Sequence, residues 1–331
     1  MTTDTLQSPI GPAITDYLSL KRALGRQFAN EAHILRGLDR FLAGHAPSAP
    51  ALTAESFAAW SLALAHLNPT TRRARMRVVR NFCLHVRRRA PTCFVPDDTT
   101  FPRVQPARRP HIFSEEQVAR LLRVAGGLPA RSTSPLRGPS CRLAVVLLYT
   151  CGLRRGELVR LRLSDYDPGE RTLLIRASKF HKSRLVALSN DAAHELDRYL
   201  VDWRRLKHAP EDTLLVSSRG GLQPRSGGGL GQSMRQLFRA ADVRTIDGLL
   251  PRVHDLRHTH AVHALLRWYR AGADVQAKLP ALATSMGHVS VVSTAYYLKL
   301  LEPVVQAASE RFAAHVASII EPSAKANGGG L

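Results

Sequence analysis

A proline-rich segment divides this sequence and limits the folds that are open to it. Its prolines stand at positions 91, 96, 102, 106 and 110. Proline fixes its own φ and donates no backbone hydrogen bond, so neither a long helix nor a central strand can run through such a stretch. We therefore predict two domains, joined by an extended linker over residues 93–111.

The first predicted domain covers residues 1–92, and residues 9–90 have a helical pattern. Apolar side chains recur three and four residues apart in NEAHILRGLDRFLAGH, and Gly44 and Pro47 then end the pattern. A second helix is predicted in LTAESFAAWSLALAHL, with Thr53 as its N-cap and Glu55 in its first turn. A third follows in NPTTRRARMRVVRNFCLHVRRRA, so the first domain is predicted to be helical.

The third helix is strongly basic away from its apolar side, and its arginines have no acidic residue four positions away. A solvated basic face is one interpretation. The whole chain, however, has 47 Lys and Arg against 26 Asp and Glu, a formal net charge of +21, which indicates a polyanionic partner. Nucleic acid is the first candidate and an anionic membrane surface the second. We expect five arginines to contact DNA phosphates: Arg72, Arg73, Arg75, Arg77 and Arg80.

Composition also indicates where in the cell the protein is located. The sequence has no run of 18 apolar residues, which predicts that no helix spans a membrane, and MTTDTLQSPI does not resemble a secretory signal. The four cysteines form no CxxC pair, so we expect reduced, buried thiols rather than a zinc site. These features favour a cytoplasmic protein.

The second domain, predicted over residues 112–320, mixes helices with one hairpin. Ser114 and Gln117 form a capping box at the start of SEEQVARLLRVA, a loop follows over 126–139, and the apolar helix SCRLAVVLLYTCGL ends at Gly152. The β-rich runs RTLLIRAS and SRLVALS flank a turn near residues 179–182 and predict an antiparallel hairpin.

Helices are predicted again in the last third of the chain. The amphipathic HELDRYLVDWRRL precedes a glycine-rich stretch over 217–232, which lacks GxxxxGK[ST] and is interpreted as a flexible loop. Helices follow from about residue 233, and EPVVQAASERFAAHVASII forms an amphipathic C-terminal helix. We expect residues 321–331 to be a disordered tail.

The stretch HDLRHTH, which begins at His254, contains three histidines and an arginine. His254 and His258 could share a helix face as metal ligands. A zinc peptidase needs HExxH, however, and here Asp255 takes the place of the glutamate and no third ligand is evident. A phosphate site is the alternative, because Arg257 lies three residues from His254 and offers a bidentate fork to phosphate oxygens.

Further motifs favour the phosphate site. CGLRRGEL, SKFHKSRLVAL, HDLRHTH, MGHVS and AYYL occur in this order. Together they resemble the tyrosine recombinase (phage integrase and Xer-type) superfamily over about residues 112–315. The resemblance implies a mainly α fold with a small antiparallel β-sheet, in a two-domain C-shaped clamp on double-stranded DNA. It also implies that residues 1–92 are a SAM-like core-binding domain.

By the same resemblance, the enzyme breaks and rejoins DNA through a 3′-phosphotyrosyl intermediate and needs no metal or cofactor. Tyr297 attacks phosphorus and Lys179 protonates the leaving 5′-oxygen. The scissile phosphate is held by Arg154, His254, Arg257 and His288. Two guanidinium groups would stabilise the negative charge that grows in the transition state.

Some assignments have close rivals. Arg155 is the rival of Arg154, and Tyr296 is the rival of Tyr297. The spacing within the motifs favours Arg154 and Tyr297. Lys182, which we assign to DNA contact, is the rival of Lys179. Alignment of RLVAL with the family's R-x-V-P-L favours Lys179, which stands five residues before Arg184, although Ser178 and Phe180 replace the glycines that usually flank the family's lysine.

Other residues near the motifs are given supporting roles. Glu157 is interpreted as a structural partner of an arginine or a helix N-terminus, and Asp165 as a turn or cap residue. His258 and His260 are interpreted as packing groups, and Tyr269 as part of the core or the surface.

His254 and His288 lie 34 residues apart, longer than the compact Xer-type pattern by roughly two helical turns. This long form favours an integrase of a mobile element, including those that work with sister recombinases. We expect a dimer on one site and a homotetramer on synapsed DNA, with the C-terminal helix packed either on its own domain or on a neighbour. An accessory DNA-binding protein and a type IB topoisomerase-like enzyme remain as alternatives.

Overall fold

The computed structural model forms two compact units, residues 1–108 and residues 109–331. The structure describes residues 6–26, 28–106, 108–131, 134–176, 183–204, 213–217, 223–224, 226–288 and 290–300, with 309, 312–313 and 316. The predicted fold class, mainly α with a small antiparallel sheet, is confirmed. The separate roles assigned to the two domains stay predictions.

The described part of the first unit is helical, with α1 (Gly11–Ala23), α2 (Ala29–His45), α3 (Ala54–Ala63) and α4 (Pro69–Arg87). Apolar residues at helical spacing on α2 and α4, such as Leu35, Leu38 and Val79, are completely buried in its core. Thr53 caps α3 as predicted, since its hydroxyl accepts a hydrogen bond from the amide of Ser56 at 3.1 Å.

Part of the predicted linker belongs to the first unit. Residues Asp98–Thr100 form a short 3-10 helix, and the Phe101 that follows is 3% exposed within the first core. The Arg73 guanidinium donates to the carbonyl oxygens of Phe101 and Pro102, both at 3.2 Å. The prolines do prevent regular helix here, but burial of the aromatic side chain and these hydrogen bonds fix the segment on the domain that precedes it.

The second unit contains eight described helices: α5 (Glu115–Gly126), α6 (Arg137–Thr150), α7 (Arg155–Leu158), α8 (Asn190–Arg204), α9 (Gly227–Ala240), α10 (Val253–Arg270), α11 (Val275–Met286) and α12 (Val292–Ala295). Ten of the 14 residues of helix α6 are buried, and the helix packs against α5, α8, α9 and α10. The Ser114–Gln117 capping box starts α5 as predicted. No helix among the described residues is long and apolar enough to span a membrane.

The sheet of the second unit has the order β1 (Tyr166–Asp167), β2 (Thr172–Ile175) and β3 (Arg184–Ala187), all antiparallel. The predicted β2–β3 hairpin is therefore confirmed, with Leu173 paired to Val186 on its buried face. Its turn, with Lys179 and Lys182, lies outside the described residues. Two short strands, β4 (Val216–Ser217) and β5 (Gln223–Pro224), pair elsewhere.

The glycine-rich stretch 217–232 is not a loop throughout, so this prediction is wrong for its second half. Helix α9 begins at Gly227, and the Ser226 hydroxyl caps it by accepting a hydrogen bond from the Gly229 amide at 3.0 Å. Leu230 and Met234, one turn apart, are completely buried. This burial outweighs the cost of glycine in a helix, about 1 kcal/mol per residue relative to alanine.

The chain after α11 positions the last motifs. Helix α11 ends at Met286, and Gly287 follows in the left-handed conformation with φ +67°, a position that favours glycine. After α12, residues Tyr296–Leu300 form a 3-10 helix. The predicted C-terminal helix and the tail 321–331 lie almost entirely outside the described residues.

Candidate active site

The end of helix α6 places Arg154 at the edge of the second unit's core. Gly152 has φ +60°, and a side chain there would lie 2.6 Å from the His260 ring. The turn therefore requires glycine, and Arg154 follows as the N-cap residue of α7. The Arg154 guanidinium donates to Glu157 Oε1 and to the Gly287 carbonyl oxygen, both at 2.7 Å.

Arg257 of α10 is only 1% exposed. Its guanidinium donates to the carbonyl oxygens of Gly152, at 2.5 Å, and Met286, at 2.7 Å. Met286 is the last residue of α11, where unpaired carbonyl oxygens and the helix dipole stabilise a cation, and Gly152 directly follows the C-cap residue of α6. Burial, and then the charge of Arg154, lowers the pKa of Arg257 to about 10, so it remains charged at neutral pH.

Sequence reasoning did not identify Arg184 as part of this site. Arg184, the first residue of β3, donates to Glu157 Oε2 at 2.9 Å and to the Ser285 carbonyl oxygen at 2.7 Å. Burial alone would raise the pKa of Glu157, but hydrogen bonds from Arg184 and Arg154 outweigh it and hold this pKa at about 2. Glu157 is therefore the structural partner that the sequence predicted.

Three arginines thus converge on the last turn of α11. Arg184, Arg257 and Arg154 donate to the carbonyl oxygens of three consecutive residues, which are Ser285, Met286 and Gly287 respectively. The arginines come from three separate segments of the chain. Their shared target lies immediately before His288, so the positions of the cationic groups and of this histidine are coupled.

Tyr297 lies inside this site and Tyr296 outside it. The Tyr297 side chain is 3% exposed, whereas Tyr296 is 46% exposed. The Tyr297 ring stacks on His288 at 6.0 Å between centroids, and its hydroxyl lies 3.3 Å from His258 Nδ1. Burial raises the pKa of Tyr297, while the positive charge of Arg257 opposes the shift.

Three histidines lie in the site, and two of them, His258 and His288, contact the Tyr297 ring. His254 and His258 meet edge to face at 4.7 Å, and His288 Nδ1 lies 2.8 Å from Thr294 Oγ1. Solvent reaches His254, but protein atoms partly desolvate it, and this desolvation followed by the charges of His258 and Arg257 lowers its pKa to about 4. Burial is also the main reason why the pKa values of His258 and His288 fall to about 4.

The remaining predicted supporting residues have structural contacts. His260 Nδ1 lies 2.9 Å from the Tyr149 carbonyl oxygen, which agrees with a packing role. Asp165 caps the turn before β1 by accepting from the Arg162 amide at 2.9 Å, and it also pairs with Arg176. Tyr269 packs at the edge of the core that contains Tyr297.

The described residues include no cluster of three His, Cys, Asp or Glu side chains that could hold a metal ion. The four cysteines are free, and all but the half-buried Cys93 are buried. Burial raises the pKa of Cys83 to about 12 and that of Cys151 to about 11, so these two thiols are protonated and unreactive at neutral pH.

The five arginines predicted to contact DNA have different environments on α4. Arg72 donates to Ser61 Oγ at 2.8 Å, and Arg73 holds the segment after Phe101. Arg80 pairs with Asp98 at 3.6 Å, an acidic partner that lies outside α4. Within the described residues, Arg75 and Arg77 have no ion pair, and Arg77 is exposed.

Comparison with known proteins identifies the class of this chain. The phage integrase family matches residues 112–302. The chain therefore belongs to the phage integrase family, the tyrosine recombinases, enzymes that cleave and rejoin DNA.

Similar proteins extend this match beyond residues 112–302. The putative integrase/recombinase y4rE of Sinorhizobium fredii is 33% identical over 91% of this chain and 95% of its own length. Tyrosine recombinase XerD of Mycobacterium tuberculosis is 36% identical over 58% of each chain. The first alignment covers both units, so the family relationship is not confined to the second.

Solved structures show the same fold at low identity. The Tn1549 transposon integrase, in complex with transposon right end DNA, has a TM-score of 0.61 and 16% identity, covering 90% of this chain and 98% of its own. A lambda integrase dimer bound to a COC′ core site has a TM-score of 0.58 and 18% identity, over 86% and 94%.

Proposed function

We propose that this protein is a site-specific recombinase that integrates or excises a mobile element, with Tyr297 as its nucleophile. The observation that carries this proposal is the convergence of Arg154, Arg184 and Arg257 on the end of α11, beside the buried Tyr297. Such a cluster of cations around one phenol suits a phosphodiester whose negative charge grows during attack.

In the proposed reaction, the Tyr297 oxygen attacks phosphorus and the bond to the 5′-oxygen breaks. Arg154, Arg257, His254 and His288 bind the non-bridging oxygens. Lys179 gives its proton to the leaving 5′-oxygen, and Lys182 contacts the DNA near the turn of the hairpin. Because the phosphotyrosyl bond conserves the energy of the broken bond, the strand is rejoined without ATP.

We also propose how the enzyme binds and assembles on DNA. Double-stranded DNA binds with help from the basic α4, a dimer occupies one site, and a homotetramer forms on synapsed DNA, with or without sister recombinases. The names of y4rE, a putative integrase/recombinase, and of the Tn1549 transposon integrase support a mobile-element role. Since its substrate is DNA, we expect the enzyme to work in the bacterial cytoplasm at the nucleoid.

A nicked DNA substrate that traps the cleaved strand tests the nucleophile. We expect a covalent protein–DNA adduct in the presence of EDTA, and no adduct with Tyr297→Phe, because only the phenol oxygen can form the bond to phosphorus. The matched control is Tyr296→Phe, which removes the exposed neighbouring hydroxyl and should retain the adduct. An adduct that persists in Tyr297→Phe, or that requires a divalent metal, would contradict the proposal.

A further inference from the structure

The mechanism proposed above leaves one histidine of the site without a role. Helix α10 makes two histidine–tyrosine contacts, His258 Nδ1 with the Tyr297 hydroxyl at 3.3 Å and His263 Nδ1 with the Tyr149 hydroxyl at 2.9 Å. Only the first involves the proposed nucleophile. The proposed reaction also needs a group that accepts the proton of Tyr297 when its oxygen attacks phosphorus.

The other two histidines are less suited to take this proton. Nδ1 of His288 is already engaged by Thr294 Oγ1 at 2.8 Å, and its ring lies nearly parallel to the Tyr297 ring, 17° apart. His254 contacts the ring of His258. In the described part of the chain, His258 is the histidine whose ring nitrogen lies within hydrogen-bond distance of the phenol oxygen.

We propose that His258 is a catalytic residue that accepts the Tyr297 proton through Nδ1. This proposal rests on the proposed function. As the bond between Tyr297 Oη and phosphorus forms, the hydroxyl proton passes to neutral His258, and the 5′-oxygen leaves with the proton from Lys179. In the reverse step, the DNA 5′-hydroxyl attacks phosphorus and gives its proton back to Lys179. The bond between phosphorus and Tyr297 Oη breaks, and the imidazolium returns its proton to Tyr297.

The charges around His258 suit this role. Burial lowers its pKa to about 4, so the ring is neutral at neutral pH and can accept a proton. The ionisable groups that face it are Arg252, His254, Asp255, Arg257, His288 and Tyr297. A bound phosphodiester adds negative charge beside these groups, which raises the proton affinity of His258 when the substrate is in place. The free ring must hold its own proton on Nε2 for Nδ1 to accept.

The test compares two substitutions of His258 by the rate of adduct formation in a single turnover. His258→Ala removes the base, and His258→Asn keeps an acceptor oxygen near Nδ1 that takes up no proton. We expect both variants to bind DNA normally and to cleave about 10²-fold more slowly or worse, as for loss of a general base. Imidazole added to the buffer should restore part of the rate of His258→Ala.

His263→Ala is the matched control, because it breaks the same type of contact on the same helix without touching the nucleophile. We expect it to cleave at close to the wild-type rate and not to respond to imidazole. If both His258 variants also cleave at that rate, His258 is not the proton acceptor, although the proposed function stands. If Tyr297→Phe still forms the adduct, the proposed function itself fails.

A spectroscopic measurement covers the case in which the His258 variants do not fold. The ¹⁵N signal of His258 Nδ1 should shift between the wild type and Tyr297→Phe, because the hydrogen bond from the phenol is lost. An unchanged signal would overturn the proposal.

Discussion

At the scale of single residues, Glu157 is the group on which the arginine arrangement depends. Its side chain is 1% exposed, and it accepts hydrogen bonds from both Arg154 and Arg184. One carboxylate thereby holds two cations that would otherwise repel each other across the site. Removing one partner of a buried ion pair is strongly destabilising, because it leaves charge without compensation.

We therefore predict that Glu157→Gln lowers the free energy of unfolding at pH 7 by about 3 kcal/mol. The pKa of Glu157 is about 2 in the folded protein and near its ordinary value in the unfolded chain. Since the folded pKa is the lower one, this stabilisation is present above the ordinary pKa and is lost as pH falls towards 2. Urea unfolding at pH 7 and at acidic pH measures the change.

The matched control is Glu195→Gln, which breaks a paired but more accessible carboxylate. Glu195 accepts from Arg142 at 2.6 Å, and its side chain is 16% exposed. We expect a smaller loss, about 1 kcal/mol or less, because solvent screens this pair more effectively. Equal losses from the two variants would mean that Glu157 has no special role in holding the site.

At the scale of secondary structure, the helical conformation of the glycine-rich start of α9 can be tested by substitution. A side chain at Gly228 would meet only the Ser226 hydroxyl, at 3.9 Å, so the helix has room for a methyl group there. We predict that Gly228→Ala stabilises the protein by about 0.5–1 kcal/mol, because alanine loses less conformational entropy in a helix. The thermal unfolding midpoint measures the change.

The control is Gly248→Ala, for which we expect the opposite change in stability. Gly248 has nothing within 4 Å, but its φ of +72° is one that side chains rarely adopt. Gly248→Ala should therefore destabilise the protein by about 1 kcal/mol. If Gly228→Ala were also destabilising, residues 227–232 would not be helical in solution.

The same helix shows what the sequence could predict. Local patterns were sufficient for the Thr53 cap, the Ser114 capping box and the β2–β3 hairpin, because each depends on residues close together in the chain. The glycines before Leu230 predict a loop, and only burial against the rest of the unit makes them helical. Local propensity is a weak guide where tertiary packing opposes it.

The sequence could also predict only part of the candidate site. Motifs indicated Arg154, Arg257 and Tyr297, but the spacing of residues contains no sign that Arg184 bonds to Glu157, 27 residues away. Nor did it indicate that His258 lies against Tyr297, 39 residues away. The first contact depends on how α7 and β3 pack together, and the second on how α10 packs against the 3-10 helix that contains Tyr297. Both are properties of the folded unit.

At the scale of the whole molecule, the net charge of +21 favours binding to the phosphates of DNA. The arginine side chains that carry this charge are not equally accessible to DNA. In α4, Arg73 donates to backbone carbonyls and Arg80 pairs with Asp98, whereas Arg77 is exposed and has no ion pair within the described residues. Only cations that reach phosphates displace bound counterions, and counterion release sets how steeply affinity falls with salt.

We predict that Arg77→Gln weakens DNA binding on all sequences and reduces the slope of log K against log salt concentration by about 1, the value for one lost phosphate contact. Titrations of labelled DNA at several salt concentrations give this slope. Arg244→Gln removes the same charge from an arginine that pairs with Asp242 at 3.5 Å, and it should leave the slope nearly unchanged. If the two variants change the slope equally, DNA binding senses only the total charge of the molecule, and α4 is not a phosphate-binding surface.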